Sequence, residues 1–339
     1  MKRINLMIGS SCNWKCPYCI QQDENSVLNK KPNIDLFCQK FFEYINKHNI
    51  TIKRIAYWGG EPLLYWKYIE AIEQQLVDKL PIQLPSRIIT NGSLVTKDHV
   101  RYFNKRNQLI NISYHQGQLS EDQWKLCFKI KNLYVTSLVS HQCTNWEPYR
   151  KKWYDMWKLY GRCINWFVYP IHATPGVPQE WILTKEDIDK YLSYIKDILP
   201  YVEQDPFYKR MIQILFYSFS YHEYNPQYLS YCYNDSILSL DLFGNKYFCH
   251  HDCNSSNIVG QIFDDKSTNK DVIFLKQLKS NTNECKMCEA YKYCVGGCFR
   301  DTTFDTTCYY TKQMYKLLKY IADNHSNFVE EKYSNLFNK

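Results

Sequence analysis

No stretch of this sequence approaches the ~18 consecutive apolar residues of a membrane-spanning helix. Nor is a secretory signal expected, because the basic start Met1–Arg3 runs directly into a short strand-like segment. There is no block of five or six like charges, no internal repeat and no low-complexity tract. These absences point away from a membrane protein and from a secreted one, and the expected location is cytoplasmic. Lys and Arg outnumber Asp and Glu by 42 to 34, a formal net charge of +8. The basic residues are spread along the chain, so a nucleic-acid partner is not favoured.

What the chain has is length, apolar content and cysteine. Its 339 residues, 45% of them hydrophobic, suffice for a sizeable core, and such a length favours about two domains. Fifteen cysteines need a reason in a reducing compartment, where disulfides are rare. Most of them gather towards the two ends of the chain, and the count is odd, which suits metal binding better than a disulfide framework.

The first two-thirds alternates two patterns. Segments 5–8, 54–58, 87–90, 110–114, 133–139 and 165–169 read as short buried strands. Between them, 34–47, 65–79, 96–106, 121–130 and 147–160 read as helices, the fourth opened by a capping box of Ser120 and Gln123. Six strands alternating with five helices predict a parallel α/β sheet, because parallel neighbours need crossover connections. Two further helices are expected over 184–199 and 205–221. From about Cys232 short strands, turns and cysteines take over, ending in a helical tail near 311–323. The expected division is 1–222 and 223–339.

Directly after the first strand comes Cys12-Asn13-Trp14-Lys15-Cys16-Pro17-Tyr18-Cys19, a CxxxCxxC run. Three thiolates on one loop suit three irons of a [4Fe–4S] cube, leaving the fourth open to a substrate or cofactor; three reduced cysteines or part of a zinc site is the plainer reading. The second strand ends in Trp58-Gly59-Gly60-Glu61-Pro62 and the third in Thr90-Asn91-Gly92. Glycines at strand ends admit close backbone approach, and Glu61 suits an ammonium. In a βα barrel all three motifs would meet at the C-terminal ends of the strands.

CxxxCxxC, GGEP and TNG after successive strands resemble the radical S-adenosylmethionine (SAM) superfamily. The resemblance covers the first 200 or so residues and implies a partial (β/α)6 TIM-like barrel. It implies that Cys12, Cys16 and Cys19 hold the cluster and that SAM chelates the open iron. Gly59, Gly60 and Glu61 would contact the methionine amine, and Tyr18 would lie near the adenine. Asn91 and Ser113, at the ends of strands three and four, are further candidate SAM contacts. The implied chemistry is reductive SAM cleavage to a 5′-deoxyadenosyl radical, fed by an external electron donor such as flavodoxin or ferredoxin. No glycine-rich ribose motif follows strand five, a departure from the family pattern.

Cys232, Gly244 and Cys249 are followed by Cys285, Cys288, Cys294, Cys298 and Cys308. CX11GX4C, then CX2CX5CX3C, then C resembles the SPASM domain of radical SAM enzymes, with a zinc knuckle as the plainer alternative. The resemblance implies two auxiliary [4Fe–4S] clusters: Cys285, Cys288, Cys294 and Cys308 for the distal one, Cys232, Cys249 and Cys298 for the proximal one. Cys253 or an open iron completes the latter. In sulfatase-maturing relatives an aspartate adjoins the cysteine matching Cys249; here His250 does, and Asp252 is displaced. His115, His141 and His172 each follow a strand and are candidate proton donors or bases on the active face, although a loop histidine bonded locally is the plainer reading of each. Cys38 and Cys127 are expected in the core, and Cys143 and Cys163 are unassigned.

The expected function is modification of a peptide or protein side chain by hydrogen abstraction: crosslinking, epimerisation or oxidation. With the first barrel strand expected at the start of the chain, no N-terminal peptide-recognition domain is expected, which weighs against crosslinking. A small molecule, sugar, nucleotide or nucleic-acid base is the alternative substrate, and a zinc-stabilised binding module is the non-enzymatic one.

Overall fold

The structure, a computed structural model, describes residues 1–19, 21, 31–114, 119–171, 176–220, 237–247, 249, 253, 257–267, 283–294 and 303–325. The chain packs as two compact units. The first comprises Met1–Ser113, Gly117–Leu133 and Cys232–Gln277; the second comprises Tyr114–Gln116, Tyr134–Tyr231 and Leu278–Lys339.

In the first unit β1 (Lys2–Met7), β2 (Ile52–Trp58), β3 (Arg87–Thr90) and β4 (Leu109–Tyr114, all but its last residue) follow one another as parallel neighbours. Their inner residues are apolar and buried: Ile4, Leu6, Ile55, Tyr57, Ile88, Ile110 and Ile112. Helices α1 (Ile34–Lys47), α2 (Trp66–Ile72), α3 (Lys97–Lys105) and α4 (Glu121–Cys127) provide the crossovers. Asn33 caps α1 by accepting the Leu36 amide, and Phe37, Cys38, Phe41 and Ile45 form the buried stripe of that helix. Beyond the other side of β1 lies β7 (Ile237–Asp241), also parallel, with Met7 opposite Asp241. The strands β8 (Asn245–Tyr247), β9 (Ile258–Gln261) and β10 (Lys266–Ser267) then continue antiparallel.

The second unit holds the parallel pair β5 (Leu133–Val139, all but its first residue) and β6 (Asn165–Pro170). With it are α5 (Glu147–Tyr160), α6 (Lys185–Ile198), α7 (Pro206–Ser220), the one-turn α8 (Asn283–Lys286) and α9 (Tyr291–Cys294), and α10 (Phe304–Asn324). Its core is aromatic: Trp146, Tyr149, Trp153, Trp166 and Tyr191 are all buried. Trp146 lies 4.8 Å from Tyr149 and 5.7 Å from Trp166, centroid to centroid, in tilted packing. Phe219, Tyr293 and Tyr315 stack in succession and join α7, α9 and α10.

The expected strands and helices are present in the expected order, with two local departures. The helix expected over 65–79 is broken into a 3-10 turn (Pro62–Tyr65), α2 and a π turn (Glu73–Val77). The buried Glu73 carboxylate accepts the Tyr57 hydroxyl at 2.7 Å and Arg106 Nε at 2.9 Å. A wider turn at that point accommodates a tertiary demand that helical periodicity does not carry. Ser120 accepts the Gln123 amide as expected, but Gln123 does not return the bond. Its side chain donates instead to the carbonyls of Gly92 and Val95, at 2.7 and 2.9 Å. No helix among the described residues is long and apolar enough to cross a membrane.

Candidate active site

The loop after β1 is sewn to the turn after β2 by backbone bonds. Ile8 donates to the Trp58 carbonyl, Gly60 to that of Gly9 and Glu61 to that of Ser11, each at 2.9 Å. This approach is so close that side chains are excluded. A Cβ on Gly59, whose φ is +147°, would lie 2.3 Å from the Gly9 carbonyl oxygen, and one on Gly60 would lie 2.2 Å from that of Ser11. The two glycines of the GGEP motif are therefore required by the packing of the cysteine loop.

On that loop Cys12 is exposed, and Cys16 and Cys19 are half-buried. The Cys19 amide closes a turn on the Cys16 carbonyl at 3.0 Å. Burial pushes the Cys12 thiol up, with Glu61 and Cys19 adding to the rise and hydrogen bonds from Trp14 and Asn91 opposing it. Asn91 donates to Asn13 Oδ1 at 2.8 Å, and Asn13 donates to Ser93 Oγ at 2.9 Å. Ser93 in turn donates to Asn91 Oδ1 at 2.6 Å. Asn13 and Ser93 were not singled out from the sequence; only their meeting around Asn91 reveals them.

Glu61, the expected contact of the methionine amine, is held inside the fold. Its side chain has no solvent exposure. Oε1 accepts Thr90 Oγ1 at 2.6 Å and the Leu63 amide at 3.0 Å, while Oε2 accepts the Asn91 amide at 2.7 Å. Burial raises its carboxyl, and these three donors oppose the rise. In this arrangement Glu61 locks the end of β2 to the end of β3, and the main chain of Gly59 and Gly60 faces the loop. Tyr18 and Ser113 are half-buried, the first within the loop and the second one residue before the end of β4.

The second half of the cysteine pattern appears in two places. In the first unit Cys249 is buried and Cys253 is half-buried, and Cys253 Sγ lies 3.8 Å from the Cys249 carbonyl. Cys253 packs with Phe243 and Ile89 against Met7 and Trp58, the last residues of β1 and β2. Burial pushes its thiol well above the usual range, with Cys249 and Asp241 contributing. Asp241 is itself fully buried and receives the amides of Phe243 and Asn245, the Asn245 side chain and the Tyr247 hydroxyl. In the second unit Cys285 and Cys288 sit on one turn, the Cys288 amide bonding the Cys285 carbonyl at 3.1 Å. Both lie close enough to Cys308 and Lys312 to act on them electrostatically, and Lys312 hydrogen-bonds Cys308 from the next turn of α10. Cys294 ends α9, half-buried.

His141 is tied by Nδ1 to Asp187 Oδ2 at 2.8 Å, and this carboxylate also caps α6 through Thr184. His115, His172, Cys232, Cys298, His250 and Asp252 lie outside the described residues. Cys38 and Cys127 are buried as expected. Cys143 bonds the Tyr149 hydroxyl at 2.8 Å, and Cys163 is half-buried. Among the described residues no three His, Cys, Asp or Glu side chains converge as around a single ion. A [4Fe–4S] cube does not ask for that, since each thiolate binds its own iron.

Residues 6–119 match the model of the radical SAM superfamily. The chain is 27% identical over 128 residues to the radical SAM cyclopropyl synthase TigE of Paramaledivibacter caminithermalis. It is 28% identical over 126 residues to the serine-type anaerobic sulfatase-maturating enzyme of Bacteroides thetaiotaomicron. These stretches are 34% and 35% of this chain but only 27% and 30% of those relatives, less than a third of either. Among solved structures, anSMEcpe with bound AdoMet superposes with a TM-score of 0.72 at 16% identity, covering 100% of this chain and 98% of the other. SuiB of Streptococcus suis, bound to its precursor peptide SuiA, gives 0.59 at 15% identity over 87% and 71%. At these identities the likeness is one of fold: a mixed α/β chain built on parallel strands, as in the radical SAM partial barrel.

Proposed function

We propose, from the match of residues 6–119 to the radical SAM superfamily model, that this chain is an enzyme that cleaves SAM reductively and modifies a peptide or protein side chain. The observation that carries the reading is the docking of the CxxxCxxC loop on the GGEP turn, main chain to main chain, at the C-terminal ends of parallel strands. The donor set fits the cluster. The three thiols share one short loop, and Gly59 and Gly60, lacking a Cβ, let that loop pack directly on the turn after β2. Cys12, Cys16 and Cys19 hold the [4Fe–4S] cluster, which with SAM supplies a 5′-deoxyadenosyl radical for hydrogen abstraction.

The chain's own residues bind and orient. The main chain of Gly59 and Gly60 meets the methionine amine, while Glu61, closed off in the interior, acts as a positioning residue. Tyr18 takes the adenine side, and Asn91 and Ser113 border the nucleoside from the ends of β3 and β4. Cys249 and Cys253, with Cys232 and Cys298, hold a proximal auxiliary cluster. Cys285, Cys288, Cys294 and Cys308 hold a distal one. The division into a barrel over 1–222 and an auxiliary-cluster domain over 223–339 belongs to the same proposal, as do a cytoplasmic location and a flavodoxin- or ferredoxin-type electron donor. His115, His141 and His172 are the candidate proton-handling groups; His141 is the weakest, because Asp187 already holds it.

A peptide substrate is supported by the neighbours of like fold, which include SuiB bound to a precursor peptide and anSMEcpe bound to AdoMet and the Cp18Cys peptide. The test is anaerobic reconstitution followed by dithionite and SAM, with 5′-deoxyadenosine quantified against a Cys12/Cys16/Cys19→Ala variant. Product from the wild type alone supports the reading; iron-free, inactive wild type sinks it. With SAM deuterated at C5′ absent and substrate deuterated, label appearing in 5′-deoxyadenosine from a peptide rather than from a sugar or nucleotide decides the substrate class.

A further inference from the structure

The 3-10 turn that follows GGEP ends in Tyr65, and this side chain returns to the cysteine loop. Its hydroxyl accepts the Ser11 amide at 2.9 Å, across 54 residues of sequence. From the other side, the Ser11 carbonyl accepts the Glu61 amide at 2.9 Å. The residue before Cys12 is thus gripped at both backbone groups by one turn. The ring beneath the hydroxyl occupies the space over Gly9: a Cβ there would lie 2.1 Å from Tyr65 Cζ and 2.4 Å from Cε2. The turn itself is held by Glu61 Oε1, which accepts the Leu63 amide at 3.0 Å.

We propose that Tyr65 is a positioning residue for the cluster loop, setting the path of Gly9–Cys12 through its ring and its hydroxyl. The inference rests on the loop holding a cluster, as argued above, but concerns a residue outside every motif used there. The physical basis is pre-organisation. A loop bearing three ligands loses backbone entropy when it closes on a cluster, and a loop already held in place loses less. An aromatic ring offers a rigid wall at small conformational cost, since it has two torsions only. The phenolic oxygen meets a backbone N–H that would otherwise need water.

The test uses the full chain, reconstituted anaerobically, in four forms: Tyr65→Phe, Tyr65→Leu, Gly9→Ala and Gly9→Ala/Tyr65→Leu. The readouts are iron and sulfide per chain, the EPR spectrum of the reduced cluster, the rate of iron release to a chelator, and the melting curve of the apo chain. Tyr65→Phe keeps the ring and removes one acceptor, so iron should leave about fivefold faster, the factor that loss of one hydrogen bond corresponds to. Its apo melting curve should stay close to that of the wild type. Gly9→Ala should lose most of its iron, because the added methyl meets the ring. Shortening residue 65 in the double variant should restore loading above that of Gly9→Ala alone. Release kinetics and EPR of Tyr65→Phe indistinguishable from wild type, or a double variant no better than Gly9→Ala, would overturn the assignment of Tyr65 while leaving the cluster itself intact. Wild type without any [4Fe–4S] signal would overturn both the assignment and the reading beneath it.

Discussion

The carboxylate of Glu61 accepts the main-chain N–H of Asn91 at 2.7 Å, so the acidic residue of one strand-end motif holds the backbone of the next. Thr90 and Leu63 use the other oxygen. Glu61→Gln places an NH2 group where one of these donors points, and a buried donor without a partner costs about 1–3 kcal/mol. A denaturant melt should show that loss. If Glu61 acts only through the strand ends, Glu61→Gln should lower iron retention and SAM affinity together. Loss of SAM affinity with full iron loading would instead mark a direct contact.

Gly60→Ala should be far more harmful than an alanine at a glycine with open space around it. The methyl would meet the carbonyls of Ser11 and Ser10, at 2.2 and 2.4 Å, and these are backbone atoms that cannot rotate away. Overpacking of this kind costs about 1–3 kcal/mol, and here it also displaces the residue before Cys12. Gly161→Ala is the control. That glycine caps α5 at φ +63° with nothing within 4 Å, so the substitution should cost about 1 kcal/mol of left-handed strain and leave iron content unchanged. Paired melting and iron assays separate the two.

Asp187 supplies a pH dependence. Burial alone would raise its carboxyl, but the Thr184 amide, His141 and the Thr184 hydroxyl together hold it below the usual value of 3.8. A carboxyl depressed in the folded chain stabilises fully above the unfolded value, near pH 4, and the contribution fades as the pH falls through the folded one. Melting between pH 3 and 6 should therefore show wild type losing an advantage over Asp187→Asn at the acid end. At neutral pH the variant should be less stable by about 1 kcal/mol, the usual worth of a helix cap. Equal stability of the two proteins across the whole range would show that neither cap nor ion pair contributes.

If Cys285, Cys288, Cys294 and Cys308 hold the proposed distal auxiliary cluster, Lys312 should tune it. It hydrogen-bonds Cys308 and lies near Cys285 and Cys288, and charges and hydrogen bonds at the sulfurs set the potential of a cluster. Lys312→Met keeps the length of the side chain and removes the charge. The midpoint potential of that cluster, followed by EPR during redox titration, should fall by about 30–60 mV, roughly 1 kcal/mol for one electron. An unchanged potential would place the cluster away from Lys312.

Much of this site is legible in the sequence. The CxxxCxxC run, GGEP and TNG each follow a strand in the sequence, and the strands are there because apolar β-formers recur in short runs bounded by turn residues. The start of the fourth helix was legible for a similarly local reason: the Ser120 side chain caps the amide three residues on. The broken α2 was not, because the π turn at Glu73 answers Tyr57 and Arg106, which are distant in sequence.

The order of the parallel elements, the cysteine spacings and the match of residues 6–119 to the radical SAM superfamily model all lie in the sequence, since each depends on periodicity or on short-range spacing. Only the tertiary structure decided what the motif residues do to one another. It turned Glu61 inward, drew Gln123 onto the Gly92 turn, gathered Asn13 and Ser93 around Asn91, and laid Tyr65 over Gly9. Those relations depend on which donors and which empty volumes meet when strands pack, and nothing in a residue's near neighbours along the chain encodes that meeting.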